Sequence, residues 1–278
     1  MEEWKRLEFE HAKRLREYGT TERRKLYSKA YSAVASLAMK RKFASNAPED
    51  RTAGTSKKLV EALIQICDKN DDVIEIGCGR GYTCMLLAPH VKSIVGTDIS
   101  DPVLAEASAV LLSCGITNVE IKRVSAFNLT HSFAPETFKV ALSIDVVEHL
   151  HPEDANEHLR QVFELLKPGG KYIIVMPNRL SGPHDITRQE FPDAKKPLGF
   201  HLNESTYYEM TKIMKKIAYR KFQSFVYYKF TRGQLTLRLL PLLFCIAIEK
   251  LFIMLPDFLR HREFDKLLYI RLIAHKPG

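Results

Sequence analysis

The hydrophobic positions between residues 57 and 176 follow two periods in turn. Amphipathic stretches with helical spacing, such as KKLVEALIQICDK at 57–69, alternate with short apolar runs such as VIEI at 73–76. Helical spacing predicts helices with one buried face, and short continuous apolar runs predict strands that are covered on both faces. The alternation therefore predicts an α/β fold in which helices cover both sides of a mainly parallel sheet.

The predicted elements of this region follow one another closely. Strands are predicted at 73–77, 92–97, 119–124, 139–144 and 171–176, and helices at 81–88, 102–114 and 152–167. The last of these helices has the clearest ends, because Pro152, Glu153 and Asp154 form a typical first turn and KPGG follows the far end.

The first 45 residues have a helical pattern of their own. Apolar residues recur there at helical spacing without an intervening proline, at Tyr27, Tyr31, Val34 and Ala38. The turn-rich segment NAPEDRTAGTS at 46–56 is predicted to be a hinge. We therefore predict an N-terminal helical extension, residues 1–54, and one further domain, residues 55–278. Four aromatic residues of the extension would either close over a substrate as a lid or pack in the core, namely Trp4, Tyr18, Tyr27 and Tyr31.

Past residue 178 the pattern is less regular. A helix is predicted near Glu204–Ile217, and strands are predicted in KFQSFVYYKF and, at the end, in LLYIRLIAHK. The region between these strands is the most apolar, but its longest uncharged run is only Leu239 to Ile248, whereas a membrane span needs about 20 residues. One interpretation is a helical insertion at about 233–263 that packs on the sheet edge or over the active site. The other is an interfacial helix, with peripheral membrane contact through 235–255, or a lid over a lipophilic substrate.

The net charge of +9 is unevenly distributed. Residues 1–45 carry 12 Lys and Arg against 6 acids, residues 212–232 carry 7 and no acid, and the rest of the chain is net negative. A uniformly basic nucleic-acid binder is therefore not favoured, although both basic segments suit either a phosphate-bearing substrate or an anionic membrane, or are solvated faces. The five cysteines form no Cys-x-x-Cys pair and the N-terminus is charged, so a reducing, cytoplasmic compartment is expected.

The stretch VIEIGCGRGYT at 73–83 carries the clearest chemical signal. Gly77, Gly79 and Gly81 stand between a predicted strand and a predicted helix, where backbone N–H groups point toward a ligand and glycine permits close approach. A dinucleotide-binding loop would have its third glycine at Tyr82. Asp98 ends the next strand, where its carboxylate would accept hydrogen bonds from ribose hydroxyls.

Five motifs occur in order along the chain. They are VIEIGCGRG, IVGTDIS, IKRVSAFNL, FKVALSIDVVEHL and LLKPGGKYIIVMPN. Together they resemble the successive motifs of class I S-adenosylmethionine-dependent methyltransferases, and the resemblance covers about residues 55–178. It implies a Rossmann-like, seven-stranded, mainly parallel sheet with an antiparallel last strand, and S-adenosylmethionine as the methyl donor.

The resemblance also implies roles for individual residues. Glu75 would orient the glycine loop or bind near the amino group of the cofactor, and Asp98 would bind its ribose. The other residues implied in cofactor binding are Gly77, Cys78, Gly79, Gly81, Ile99, Ser125, Ala126, Phe127 and Asp145. Family members often have an acid at the position of Ser125, so Phe127 and backbone groups would replace its contact with adenine. For Ile99 and Phe127, ordinary core packing is an equally good interpretation.

The segment DVVEHLH at 145–151 follows the fourth predicted strand, where a methyl acceptor would bind. In one interpretation Asp145 contacts the cofactor, and the residues after it are polar or packing residues. In a second, a nearby histidine is the general base, the candidates being His149, His184 and His201. The third is a resemblance to the metal-binding pattern of ubiquinone-biosynthesis O-methyltransferases and of small-RNA 2′-O-methyltransferases. It implies a divalent cation held by Asp145, which stands where Glu is usual, Glu148, His149 and His201.

The loop MPNRLSGPHDITRQEF would line the acceptor pocket or be a solvated loop. We conclude that the sequence predicts an S-adenosylmethionine-dependent methyltransferase acting on a small-molecule acceptor, with oxygen the favoured nucleophile. The alternatives are an RNA or protein acceptor, a peripheral-membrane enzyme with a lipid or quinone-like acceptor, and a non-catalytic binding protein.

Overall fold

The computed structural model describes residues 1–45, 57–229, 235–255 and 265–278. Its strands are β1 (Asp72–Ile76), β2 (Ser93–Asp98), β3 (Val119–Arg123), β4 (Phe138–Ile144), β5 (Leu166–Met176), β6 (Arg220–Lys229), β7 (Leu235–Pro241) and β8 (Ile270–His275). Its helices are α1 (Glu3–Glu17), α2 (Thr20–Ser45), α3 (Lys57–Ile66), α4 (Tyr82–Leu87), α5 (Asp101–Ser113), α6 (Pro152–Leu165), α7 (Thr187–Glu190), α8 (Tyr207–Ile217), α9 (Leu242–Met254) and α10 (Asp265–Leu268). The predicted hinge and domain boundary lie outside the described residues.

The strands form one sheet in the order β3-β2-β1-β4-β5-β8-β6-β7. Strands β1 to β5 are parallel, and β8 is antiparallel to both β5 and β6. The predicted Rossmann-like, mainly parallel sheet with an antiparallel last strand is thus confirmed, with one strand more than the seven expected. All carboxyl ends of the parallel strands meet at one edge, where ligands bind in such sheets.

The additional strand corrects the prediction of a helical insertion at 233–263. Leu235–Pro241 is not helical but pairs antiparallel with β6, from Lys229 opposite Leu235 to Gln223 opposite Pro241. This pairing satisfies the polar backbone groups that β6 would otherwise expose at the sheet edge. The insertion becomes helical only after Pro241, a residue that a helix interior does not accommodate.

Strand β5 and helix α8 also begin at residues other than those predicted. Strand β5 begins at Leu166 rather than at residue 171, because Leu166 already pairs with Phe138 across an irregularity in the ladder. Helix α8 begins at Tyr207, because the Thr206 side chain accepts a hydrogen bond from the Glu209 backbone while the Glu209 side chain reaches back to Thr206.

The sheet is packed on both faces, and the N-terminal helices belong to one of these packed layers. Ile74 and Tyr172 face a core that also contains Leu15 of α1 and Tyr27 of α2. Val73 faces the opposite core, formed with α3 and α4. No helix in the described parts of the chain combines the length and the apolar character needed to cross a membrane.

Candidate active site

A cleft of about 900 Å³, including its open mouth, lies at the carboxyl ends of β1, β2 and β4. One wall is the glycine loop, and Tyr27 and Tyr31 of α2 belong to the facing wall. Eleven residues predicted from the sequence for the cofactor, the base or the lid line it: Tyr27, Tyr31, Gly77, Gly79, Asp98, Ile99, Ser125, Ala126, Phe127, Asp145 and His149. Trp4 and Tyr18, the other two predicted lid residues, are not among its lining residues.

The glycine loop needs glycine for two different reasons. Gly77, at φ 72°, packs so closely that a Cβ atom there would lie 2.4 Å from Cγ2 of Val146. Gly79, at φ 52°, has nothing within 4 Å of such an atom, because it faces the open cleft. Both positive φ values disfavour any other residue. Gly81 does not line the cleft but precedes the first turn of α4.

Two carboxylates hold this loop in place. Asp98 accepts hydrogen bonds from the backbone N–H of Gly79 at 3.1 Å, of Ile99 at 2.7 Å and of Ser100 at 3.0 Å. Glu75 is buried under the loop and accepts hydrogen bonds from the first turn of α4, including one from the Cys84 thiol at 2.9 Å. Burial raises the pKa of Glu75 to about 7. The hydrogen bonds of Glu75 connect the end of β1 to the first turn of α4, and the role of Glu75 toward the loop or the cofactor stays a prediction.

The wall formed by Ser125, Ala126 and Phe127 is supported from behind by α6. The Ala126 carbonyl accepts a hydrogen bond from Nδ1 of His158 at 2.7 Å, and the Phe127 carbonyl accepts one from Gln161 at 3.0 Å. The Ser125 hydroxyl is buried and has no hydrogen-bond partner among the described residues. Cys78, within the glycine loop, is buried and is not among the residues that line the cleft.

Two neighbouring carboxyl groups lie at the other end of the cleft: Asp145 lines it, whereas Glu148 is buried and is not among its lining residues. Asp145 has φ 52° and accepts a hydrogen bond from the hydroxyl of Tyr269. Glu148 is fully buried, and no N–H or O–H group of the described residues donates to either of its oxygens. Burial, with the nearby Asp145 charge, raises the pKa of Glu148 well above its usual value, and burial also raises the pKa of Asp145.

Two histidines complete this cluster. One oxygen of Glu148 and one ring nitrogen each of His149 and His201 lie within 4.8 Å of one another. Nδ1 of His149 is 3.2 Å from the Phe200 carbonyl, and Nδ1 of His201 is 2.7 Å from Oε1 of Glu204. Burial and the neighbouring His201 lower the pKa of His149 to about 3, so its ring is neutral near pH 7 and is a weak base.

His184 lies outside the cleft wall. Its Nδ1 is 3.3 Å from Oε2 of Glu204, and its Nε2 is 2.9 Å from the Ser181 hydroxyl. Burial alone would raise the pKa of Glu204, but hydrogen bonds with His184 and His201 lower it to about 2. Glu204 therefore links the two predicted histidines, only one of which reaches the cluster.

Helix α2 covers this end of the cleft. The ring of Tyr31 stacks on Phe200 with 4.4 Å between centroids and meets His149 edge-on at 5.7 Å. A buried ion pair holds the helix down, with 2.6 Å between Nε of Arg23 and Oδ2 of Asp154. The covering helix limits the access of water to the cluster beneath it.

Tyr269, Glu204 and Phe200 were not predicted from the sequence. Glu204 lies in the segment HLNES at 201–205, where its spacing of three from His201 was an available signal. Tyr269 is 124 positions from Asp145 and belongs to no motif.

Comparison with known proteins agrees with this geometry. The family model described as Methyltransferase domain matches residues 73–170. A Mycolicibacterium smegmatis protein named "Probable S-adenosylmethionine-dependent methyltransferase" is 28% identical over 145 residues, which are 51% of this chain and 49% of that protein. The ubiquinone biosynthesis O-methyltransferase of Pseudomonas fluorescens is 31% identical over 107 residues, 38% of this chain and 44% of the relative. The matched part thus spans about half the length of these relatives.

The fold has solved counterparts. The crystal structure of YcgJ from Bacillus subtilis superposes with a TM-score of 0.52 at 20% identity, covering 79% of this chain and 98% of that one. Residues 73–170 therefore form a methyltransferase domain, and the chain has the fold of class I S-adenosylmethionine-dependent methyltransferases. This confirms the family resemblance that the five motifs indicated.

Proposed function

We propose that the chain transfers a methyl group from S-adenosylmethionine to a hydroxyl oxygen of a small molecule. The observation that carries this proposal is a single cleft with the glycine loop and Asp98 at one end and the Asp145, Glu148 and His149 segment at the other. Relatives named as ubiquinone biosynthesis O-methyltransferases support oxygen as the acceptor atom. A small acceptor suits a cleft that α2 covers.

The residues present suit the methyl donor. Asp98 bridges the loop and the end of β2, the position at which a carboxylate accepts hydrogen bonds from a ribose. Gly79 leaves the open space that close approach of the ligand requires. Methyl transfer is a direct displacement, so the protein mainly has to align the two reactants and exclude water. Tyr27 and Tyr31 of α2 would contribute to both.

We also propose that Glu148, His149 and His201 hold a divalent cation. One donor atom of each residue lies within 4.8 Å of the others. Nδ1 of each histidine faces an oxygen, that of Phe200 or of Glu204, which would leave Nε2 for the cation, as in protein metal sites. No donor among the described residues is hydrogen-bonded to the carboxylate of Glu148, and a cation would compensate for this. Asp145 is outside this group and is held by Tyr269 instead. A bound cation would lower the pKa of an acceptor hydroxyl.

The proposed donor site is tested by calorimetry with S-adenosylmethionine and S-adenosylhomocysteine. Gly79→Leu should reduce affinity at least roughly tenfold, because the new side chain occupies the cleft. Gly115→Leu is the matched control, since Gly115 also has a positive φ and open surroundings but lies outside the cleft. Absence of binding by the folded wild-type chain, or equal losses in both variants, would contradict the proposal.

Acceptor class is tested with a labelled methyl donor. Phenolic and catecholic acceptors should become labelled, whereas amines and RNA should not. An RNA acceptor would instead predict binding that weakens steeply with added salt.

The cation site is tested with Co²⁺, whose visible absorption reports its ligands. Wild-type protein should develop absorption bands that His201→Ala and Glu148→Gln abolish. His131→Ala, which removes an exposed histidine, should leave them unchanged. Bands that survive both ligand substitutions would refute this assignment without affecting the donor site.

A further inference from the structure

The part of the chain from β7 through α9 exposes an unusual number of large apolar side chains. Within residues 235–255, six of them are between 49% and 80% exposed, namely Leu239, Leu243, Phe244, Leu251, Ile253 and Met254. We call this set the α9 face. Contiguous exposed apolar patches of this kind mark interaction surfaces.

The orientation of α9 is fixed from inside. Four residues at helical spacing point into the protein: Leu242, Cys245, Glu249 and Phe252. The Glu249 carboxylate accepts hydrogen bonds from the backbone of Tyr207 at 2.6 Å and of Tyr208 at 3.2 Å, and from the side chain of Asn178 at 2.6 Å. Turning the helix to bury the apolar face would break these bonds and expose the inward stripe, so the α9 face stays outward.

The exposed charges of the two described segments that form this region, 235–255 and helix α8, are mostly positive. Glu249 is the only acid within residues 235–255, and it is buried. Arg238 and Lys250 are exposed within the same segment. Helix α8, whose first turn is bonded to Glu249, exposes three more cations, Lys212, Lys215 and Lys216. The acid of that helix, Glu209, is paired with Arg179.

We propose that the α9 face binds the surface of an anionic lipid bilayer. Helix α9 has 13 residues and is therefore about 20 Å long, which suits a helix lying in the interface rather than one crossing it. Apolar side chains enter the boundary between headgroups and acyl chains, while the surrounding cations meet anionic headgroups. A second copy of the chain would bind this face less well than an anionic bilayer, because a symmetric dimer would bring the same cations together.

The α9 face adjoins the edge at which an acceptor would enter. Asn178, bonded to Glu249, follows the end of β5 at the carboxyl edge of the parallel strands. Membrane binding does not depend on methyl transfer, so each can fail without the other.

The experiment is co-sedimentation with vesicles of phosphatidylcholine and phosphatidylglycerol, and with vesicles of phosphatidylcholine alone. The wild-type chain should sediment with the mixed vesicles and much less with the neutral ones. A triple variant, Leu243→Ser with Leu251→Ser and Met254→Ser, should lose at least roughly tenfold in partitioning. Leu112→Ser is the matched control, because Leu112 is 82% exposed on α5, near the opposite edge of the sheet.

A second variant tests the charges without touching apolar residues. Arg238→Glu with Lys250→Glu should weaken binding to the mixed vesicles and should have little effect on any binding to neutral ones. Circular dichroism should show that all variants are folded. The proposal is overturned if the wild-type chain stays in the supernatant, if the triple variant binds as wild type, or if this face instead forms a dimer in lipid-free sedimentation velocity.

Discussion

The two ends of the cleft are assembled in different ways; we call them the cofactor end and the acceptor end after the ligands proposed for them. The cofactor end draws on residues 75–81 and 98–99, and backbone N–H groups make most of the bonds to Asp98. The acceptor end combines Asp145 with Tyr269 and His149 with His201, and it is covered by Tyr31 of α2. The cofactor end is therefore formed by two short segments that follow neighbouring strands, whereas the acceptor end forms only when distant parts of the chain pack together.

The two ends also differ in their electrostatics. Asp98 has backbone donors at three positions, whereas Glu148 is fully buried and receives no hydrogen bond from the part of the chain that the structure describes. A carboxylate with donors is stable in its charged form, and one without donors needs a proton or a cation. The comparison indicates that the cofactor end is complete in itself and that the acceptor end depends on what it binds and on what covers it.

The largest effect is expected from separating α2 from the rest of the molecule. Arg23→Met removes the guanidinium that pairs with the carboxylate of Asp154. This pair is buried, because the two side chains are only 2% and 0% exposed. Removing one partner of a buried pair costs about 3–5 kcal/mol when the other charge is left unpaired. Because Nε of Arg24 still contacts Oδ1 of Asp154 at 2.7 Å, the expected loss lies at the lower end, about 3 kcal/mol. Urea unfolding should show this loss, whereas Arg24→Met, at a side chain 34% exposed, should cost about 1 kcal/mol. Equal small losses would show that α2 is not held by the buried pair.

His158, which donates a hydrogen bond to the Ala126 carbonyl, should make the stability of the protein depend on pH. Burial lowers the pKa of His158 to about 4 from 6.5, so the unfolded chain takes up the proton first as pH falls. Stability should be full above pH 6.5 and decrease toward pH 4, by about 3 kcal/mol from this residue. His158→Gln should flatten the pH dependence of the unfolding free energy, whereas exposed His131→Gln should not. Parallel curves for wild type and His158→Gln would contradict this assignment.

At the cofactor end, Asp98→Ala should lower S-adenosylmethionine affinity by about 30-fold, because charged hydrogen bonds to the ligand and the loop are lost. Calorimetry measures the change. Asp101→Ala, at an exposed acid paired with Arg123, is the control and should bind as wild type. Unchanged affinity in Asp98→Ala would show that the ligand does not contact this carboxylate.

The smallest effect is expected at the acceptor end from Tyr269→Phe, which removes one hydroxyl beside Asp145. Turnover should fall about fivefold, the value of a single hydrogen bond, while cofactor affinity stays unchanged. Tyr228→Phe, at an exposed tyrosine of β6, provides the comparison. A loss of cofactor affinity in Tyr269→Phe would show that the two ends of the cleft are energetically coupled rather than independent.

The fold was predictable wherever local pattern and final environment agree. Strand β1 and helix α6 were predicted from an apolar run and from Pro152 with its acidic first turn. The pattern failed at Leu235–Pro241, where leucine-rich sequence suggested a helix and pairing with β6 produced a strand. Leucine favours helices only weakly, so a tertiary partner overrides it.

The sequence by itself determined the order of the elements and the glycine loop with Asp98, because these depend on spacing and on backbone conformations that glycine permits. Only the tertiary structure decided that His201 reaches His149 while His184 does not, and that Tyr269 meets Asp145. It also decided which side of α9 faces outward, through the bonds of Glu249. Contacts between residues far apart in the chain depend on how whole elements dock, and no local pattern records that.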